Sequence, residues 1–183
     1  TKVVAHTLKT YSKFTFEFPY PQATSVHSKW IGMEYPMMVN DGTTTTRSRT
    51  IELTSHEITN TYFPFFMGTN EKKYAWMDEG WAAFLPGGFA KLINPESQYM
   101  ENEIKGFTDF AGSESALPLM ALSYQHNNFS SARIAAYNHP ATAYHVLQLT
   151  LGKDLFKKAL LEYMNRWKGK HPTPYDFFNT FNE

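Results

Sequence analysis

The chain has 183 residues, 42% of them hydrophobic and 19% charged, which is typical of one folded domain with its own hydrophobic core. Its 17 basic and 17 acidic residues cancel, so charge favours neither nucleic acid nor an anionic membrane as a partner. The sequence contains no cysteine, which excludes disulfides, thiolate metal ligands and cysteine nucleophiles. No apolar run approaches the roughly 18–20 residues that span a bilayer.

The N-terminal residues 1–40 are predicted to be extended. Apolar and polar residues alternate over Tyr11–Phe18, which indicates a strand. A second strand is predicted over Met33–Val39, and the turn signal Asn40–Gly42 ends it. The threonine run Thr43–Thr46 is expected to be a solvated loop.

From about residue 49 the pattern becomes helical, and prolines and glycines mark the ends of the segments. Phe177, Phe178 and Phe181 share one face of the last segment, where core packing is their expected role. The predicted fold class is therefore α+β and mostly helical, with a small sheet at the N-terminal end. The predicted helices run over about 50–62, 74–84, 95 onward, 140–151, 153–168 and 174–182.

The segment Ser55–Asn60 carries part of a zinc-peptidase motif. In H-E-x-x-H, two histidines four residues apart share one helix face and bind the metal, while the glutamate takes a proton from metal-bound water. Here His56 and Glu57 are present, and Asn60 occupies the place of the second histidine. Without further context, such a pair is more often an ordinary polar pair on a helix. A turn and the next predicted helix can bring Glu79 back as a third ligand. Two histidines and one glutamate form a standard catalytic zinc set.

Further motifs stand in order around this segment. They are Gly32–Pro36 upstream, Tyr62–Pro64 directly after it, the Asp-Glu-Gly around Glu79, and Tyr137–Ala141 downstream. Together these stretches resemble the aminopeptidase N family of gluzincin zinc metallopeptidases. The resemblance covers nearly the whole chain. It implies a thermolysin-like catalytic domain over residues 1–183 and hydrolysis of peptide bonds.

The resemblance implies a metal site and a base. His56 and Glu79 correspond to the first and third zinc ligands, and Glu57 corresponds to the general base. An amide oxygen is a far poorer zinc partner than imidazole. With Asn60 as the remaining ligand, one zinc ion is expected to bind weakly or not at all.

The resemblance also implies how substrate binds. Glu34 corresponds to the carboxylate that captures the free α-amine, and Gly32 and Met33 lie on the edge that holds the substrate backbone. Tyr137 corresponds to the phenol that hydrogen-bonds the oxyanion of the tetrahedral intermediate. Two alternatives remain open, in which Glu34 is a surface charge on a strand and Tyr137 is a core tyrosine.

The expected function is zinc-dependent removal of N-terminal residues from peptides, impaired or lost in this chain by Asn60. Two explanations of Asn60 remain open: a decayed, inactive relative, or a substitution within an active peptidase. The alternative function is a non-catalytic peptide-binding or scaffold module. A third alternative is a structural domain in which His56 and Glu79 are satisfied polar residues. Asp78 receives no role, and His126, His139 and His145 are expected at the surface or in the core.

The expected partners are a peptide with a free N-terminus and the flanking domains of a longer parent protein. The family places a β-rich domain before its catalytic domain and a helical domain after it. Because Thr1 is not a start methionine, the chain is expected to be a processed or excised piece. A soluble protein is expected, and its compartment stays open, with secretion and the periplasm among the choices.

Overall fold

The computed structural model describes residues 2–29 and 32–183, and Thr1, Trp30 and Ile31 lie outside the described residues. A three-stranded sheet lies near the N-terminal end, made of β1 (Thr24–Ser28), β2 (Gly32–Glu34) and β3 (Met38–Gly42). The remainder is mostly helical, which confirms the predicted α+β class. The helices are α1 (Lys2–Phe14), α2 (Arg47–Asn60), α3 (Glu79–Ile93), α4 (Tyr99–Phe110), α5 (Phe129–Ala136), α6 (Asn138–Leu151), α7 (Lys153–Trp167) and α8 (Pro174–Asn182).

The prediction that the first forty residues are extended is wrong for α1. Val4, Thr7 and Tyr11 are its buried residues, and their spacing is that of one helix face. Tyr11 hydrogen-bonds Thr59 of α2, and its ring meets Phe89 of α3 edge-on with centroids 4.3 Å apart. The apolar–polar alternation after Tyr11 therefore belongs to the end of a helix and the loop that follows it.

The sheet places the Glu34 side chain. Strand β3 lies in the centre, parallel to β1 and antiparallel to β2, and Val39 pairs with Glu34. The single strand predicted over Met33–Val39 is divided in two, because a turn around Pro36 separates β2 from β3. Glu34 is the last residue of β2 and is only 7% exposed. The loop predicted at Thr43–Thr46 joins β3 to α2.

Helix α2 carries the zinc-peptidase motif. Thr46 caps its N-terminus by accepting a hydrogen bond from the Arg49 amide at 3.2 Å. After Asn60 the chain continues as a π-helical turn, Thr61–Phe66, in which Phe63 leaves helical dihedral angles with φ −129° and ψ 108°. This break turns the chain back toward α3.

Helix α3 begins five residues later than predicted and continues through Pro86, where an end was expected. A short 3₁₀ turn, Ala75–Met77, precedes it, so that Glu79 becomes its first residue. A Cβ built on Gly80 would lie 2.6 Å from the Pro140 Cβ, so glycine permits close packing of α3 on α6. Close packing here brings the start of α3 and the start of α6 together.

The other helices differ less from expectation. Helix α4 begins at Tyr99 instead of near residue 95, and α5, capped by Asn128 at 2.8 Å from the Ser131 amide, was not predicted. Helices α6, α7 and α8 lie within two residues of their predicted bounds. Within the described part of the chain, no helix combines the length and apolarity needed to cross a membrane.

An aromatic cluster fixes α3, α6 and α8 against one another. The Trp81 and Tyr144 rings stack with centroids 3.8 Å apart, and Phe177 meets the Trp81 ring edge-on at 5.9 Å. All three are buried, and Phe181 packs against the same core, as predicted for this face of α8. Because Trp81 follows Glu79 on α3, this cluster also fixes the backbone that presents Glu79.

Candidate active site

His56 and Glu79 meet where α2 and the start of α3 pack together. The His56 Nε2 atom lies 3.0 Å from Oε2 of Glu79, and its Nδ1 atom lies 2.9 Å from the Ala82 carbonyl oxygen. Burial lowers the pKa of His56, but hydrogen bonding to Glu79 and the charges of Glu79 and Glu57 raise it overall to about 9. At neutral pH the imidazole is therefore protonated, donates through both nitrogens and forms an ion pair with Glu79.

Asn60 is fully buried behind these two side chains, between Glu79 and Asp78. In one amide orientation its nitrogen donates to Oε2 of Glu79 at 3.4 Å. In the opposite orientation the nitrogen donates to the Phe63 carbonyl at 2.9 Å and to Oδ1 of Asp78 at 3.1 Å. The second orientation makes two shorter bonds and is favoured. It turns the amide oxygen toward Glu79, so the Asn60 group nearest this carboxylate is a neutral oxygen.

Tyr137, between α5 and α6, holds the second oxygen of Glu79. Its hydroxyl donates to Oε1 at 2.6 Å, and its ring stacks on the His56 ring with centroids 5.7 Å apart. Burial raises the pKa of Tyr137, and the Glu79 charge raises it further, so the phenol remains a donor. Burial also acts to raise the pKa of Glu79, but the bonds from His56 and Tyr137 outweigh burial and lower it.

Glu57 points into the same region and is buried. A Cβ on Gly32 would lie 2.2 Å from its Oε1 atom, so only glycine at this position of β2 leaves room for the carboxyl group. Its Oε2 atom has no hydrogen-bond partner in the described structure. Burial raises the pKa of Glu57 to about 8, with the charge of His56 opposing this rise.

Glu34, Asp78 and Glu79 form an acidic cluster, with carboxylate oxygens within 4.8 Å of one another. Burial raises the pKa of Glu34 and of Asp78, and the Glu79 charge adds to both shifts. Buried carboxylates at this separation repel unless a proton or a cation lies between them. Sequence analysis assigned no role to Asp78. Its place in the sequence directly before Glu79 was the available signal.

One cavity of about 290 Å³ joins these groups. Every residue that the sequence predicted for the site lines it except Asn60, which lies behind its wall. The predicted residues that line it are Gly32, Met33, Glu34, His56, Glu57, Glu79 and Tyr137. A second cavity of about 260 Å³ shares Glu79 and Tyr137 with it, and a third of about 140 Å³ shares His56, Glu57 and Tyr137. The three form one cleft around Tyr137.

The donor set does not fit a firmly held zinc ion. Catalytic zinc sites use three protein ligands, usually with at least one imidazole, and leave the fourth place for water. Here His56 and Glu79 supply one imidazole and one carboxylate. The third group, Asn60, offers only a neutral amide oxygen, which Phe63 and Asp78 orient through the amide nitrogen.

Comparison with known proteins gives one sequence relative. No protein-family model matches the chain. An aminopeptidase N of Plutella xylostella is 25% identical over 194 aligned residues, which span 96% of this chain and 20% of that protein. The chain thus spans about a fifth of the length of this relative.

Solved structures share the fold. The M1 zinc metallopeptidase of Deinococcus radiodurans superimposes with a TM-score of 0.76 at 16% identity, over 97% of this chain and 39% of that one. Its E323A mutant bound to a Tyr-Ser-Ala substrate gives 0.75 at 17% identity, over 96% and 39%. Native yeast LTA4 hydrolase gives 0.77 at 19% identity, over 97% and 31%. In each case the chain matches less than half of the longer protein.

Proposed function

This chain is a relative of aminopeptidase N with the fold of the M1 zinc metallopeptidases, and from this premise we propose that its cleft binds the free amino end of a peptide. Hydrolysis of the first peptide bond is the proposed activity of the longer protein, and Asn60 impairs it. The observation that carries the proposal is the single 290 Å³ cavity, which the acidic cluster, Glu57 and Tyr137 all line.

The acidic cluster supplies the recognition of the amine. Glu34, Asp78 and Glu79 hold three carboxyl groups close together, and the first two are buried. An α-ammonium group placed among them would relieve their repulsion and donate charge-assisted hydrogen bonds. N-acetylation removes this charge, so the cluster distinguishes a free from a blocked N-terminus.

The sheet supplies a place for the peptide backbone. Strand β2 lies at an edge of the sheet, and Gly32, Met33 and Glu34 all line the cavity. A peptide that adds along this edge would pair its main chain with β2. Its amino end would then lie beside Glu34, at the end of the strand.

Glu57 and Tyr137 are the proposed catalytic groups. The unpartnered carboxyl oxygen of Glu57 is suited to take a proton from water once the group is ionised. Tyr137 is suited to donate to a developing oxyanion, but this requires its hydroxyl to leave Glu79, to which it is bonded at 2.6 Å. Both residues are proposed to act only where a metal ion is held firmly.

A non-catalytic peptide-binding module is the second candidate, and one observation favours it. The imidazole of His56 and the phenol of Tyr137 together occupy both oxygens of Glu79. His56, Tyr137 and Glu79 thus satisfy one another within the chain, which suits a cleft that binds a peptide without firmly held zinc. In either case residues 1–183 are proposed to be the catalytic-domain portion of a longer protein with flanking domains.

Peptide binding and turnover test the proposal together. Calorimetric titration of the chain with Ala-Leu-Ala and with N-acetyl-Ala-Leu-Ala should show binding of the free peptide and much weaker binding of the acetylated one. Release of alanine should be undetectable for the chain and should appear with added zinc in Asn60→His. Equal affinity for both peptides would overturn the proposed recognition of the amine.

A further inference from the structure

Arg133 places a positive charge over the ring of Tyr137. Its guanidinium lies over the Tyr137 ring, 4.9 Å from the ring centroid. The hydroxyl of the same tyrosine donates to Glu79 at 2.6 Å. One tyrosine therefore contacts both a guanidinium group and a member of the acidic cluster.

The Arg133 guanidinium is available to a ligand. Within residues 2–29 and 32–183 it forms no ion pair shorter than 4.0 Å, and its side chain makes no hydrogen bond. Stacking on Tyr137 restrains the plane of the guanidinium while leaving its N–H groups at the edge, where a carboxylate can accept two of them. Arg133 lines both the 260 Å³ and the 140 Å³ cavities, where they adjoin the main cavity.

Three other charged groups of the 140 Å³ cavity, namely Arg49, Glu52 and Glu103, have partners of their own. Arg49 pairs with Glu52 at 3.4 Å. Glu103 accepts a hydrogen bond from Asn138 Nδ2 at 2.8 Å. Arg133 is therefore the arginine of this cavity without an ion pair or a side-chain hydrogen bond among the described residues, while its charge opposes the rise that burial causes in the pKa of Glu103.

We propose that Arg133 binds the C-terminal carboxylate of a short peptide whose amino end lies in the acidic cluster of Glu34, Asp78 and Glu79. This inference rests on the proposed function and narrows its ligand class to short peptides with both ends free. Arg133 and Glu79 both line the 260 Å³ cavity, so one peptide of a few residues can reach both groups. The 260 Å³ cavity beside Arg133, lined by Leu119, Phe129 and Ala136, accepts an apolar side chain of such a peptide.

Three tripeptides test the proposal: Ala-Leu-Ala, its C-terminal amide, and its N-acetyl form. Calorimetry would compare their affinities for the chain, for Arg133→Gln and for the matched control Arg47→Gln, which removes an exposed arginine at the start of α2. Arg133 is exposed, and an ion pair at an exposed site supports about a 5-fold effect. Amidation should therefore weaken binding to the chain and to Arg47→Gln about 5-fold, and should change binding to Arg133→Gln less than about 2-fold.

The two ends of the peptide report on separate claims. If acetylation weakens binding but amidation does not, the proposed function stands and the role of Arg133 is overturned. If neither modification matters, or no peptide binds, both are overturned. An equal effect of amidation on the chain and on Arg133→Gln would also overturn the role of Arg133. Where Arg133→Gln fails to fold, equal binding of the free and amidated peptides by the unaltered chain still overturns it.

Discussion

The hydroxyl of Tyr137 donates to Oε1 of Glu79 at 2.6 Å, while the imidazole of His56 holds Oε2 of the same carboxylate at 3.0 Å. A single glutamate thus joins the residue expected to bind metal and the residue expected to bind an oxyanion. Neither can take up its proposed role while both are bonded to Glu79. Both oxygens of the Glu79 carboxylate are thus hydrogen-bonded within the chain, and this is the central physical feature of the site.

Tyr137→Phe tests whether the hydroxyl acts in catalysis. In the Asn60→His background with zinc, turnover of a free-amine peptide should fall about 10²–10³-fold with little change in KM, because one oxyanion donor is lost. In the chain that keeps Asn60, Tyr137→Phe should lower the free energy of unfolding by only about 0.5–1.5 kcal/mol, the value of one hydrogen bond. Steady-state kinetics and urea denaturation measure the two effects.

Tyr163→Phe is the matched control for this change. The Tyr163 hydroxyl is buried without a hydrogen-bond partner among the described residues, so its removal should leave turnover unchanged and should not lower the free energy of unfolding. Unaltered turnover in Tyr137→Phe, together with a loss of more than about 2 kcal/mol in stability, would make Tyr137 a structural residue.

Glu34→Gln tests the recognition of the amine. The substitution keeps the shape of the side chain but removes a buried charge, so affinity for Ala-Leu-Ala should fall about 10–100-fold. Affinity for the acetylated peptide should not change, because that peptide offers no ammonium group. Calorimetry measures both, with Glu114→Gln, an exposed site, as control. An equal loss for both peptides would remove Glu34 from amine recognition.

Gly32→Ala tests the close contact between β2 and the buried glutamate of α2. The added Cβ would lie 2.2 Å from Oε1 of Glu57 and 3.0 Å from Cδ1 of Leu53, so the variant should lose about 1–3 kcal/mol of stability. Gly88→Ala is the matched control, because Gly88 is an exposed helix position where nothing lies within 4 Å of an added Cβ. Gly88→Ala should raise the free energy of unfolding by about 0.5–1 kcal/mol. Similar denaturation curves for both variants would contradict the contact.

The sequence predicted most of the helical part of the fold and the residues that meet in the cleft. The confirmed resemblance to aminopeptidase N rests on ordered motifs, and their spacing on α2 and α3 is enough to bring His56 and Glu79 together. Helices α6 to α8 were predicted well because Gly152 and Gly169 mark ends that local geometry determines, and both adopt positive φ.

The errors arose where tertiary contacts override local patterns. Alternation over Tyr11–Phe18 indicated a strand, but packing of α1 on α2 and α3 makes its first part the end of a helix, and a loop follows. Pro86 was expected to end α3, yet the buried aromatic packing around Trp81 carries the helix past it. The sequence also showed no sign that Tyr137 bonds Glu79 or that Asp78 orients Asn60, because both contacts join segments that only the fold brings together.

Calorimetric titration with zinc tests the central claim most directly, namely that Asn60 leaves this aminopeptidase-type site without a firmly held metal ion. The chain and its Asn60→His variant would be compared in the same chelator-free buffer. The variant regains a second imidazole and should bind one zinc ion at least about 100-fold more tightly than the chain itself. Equal and tight binding of one zinc ion by both proteins would contradict the claim.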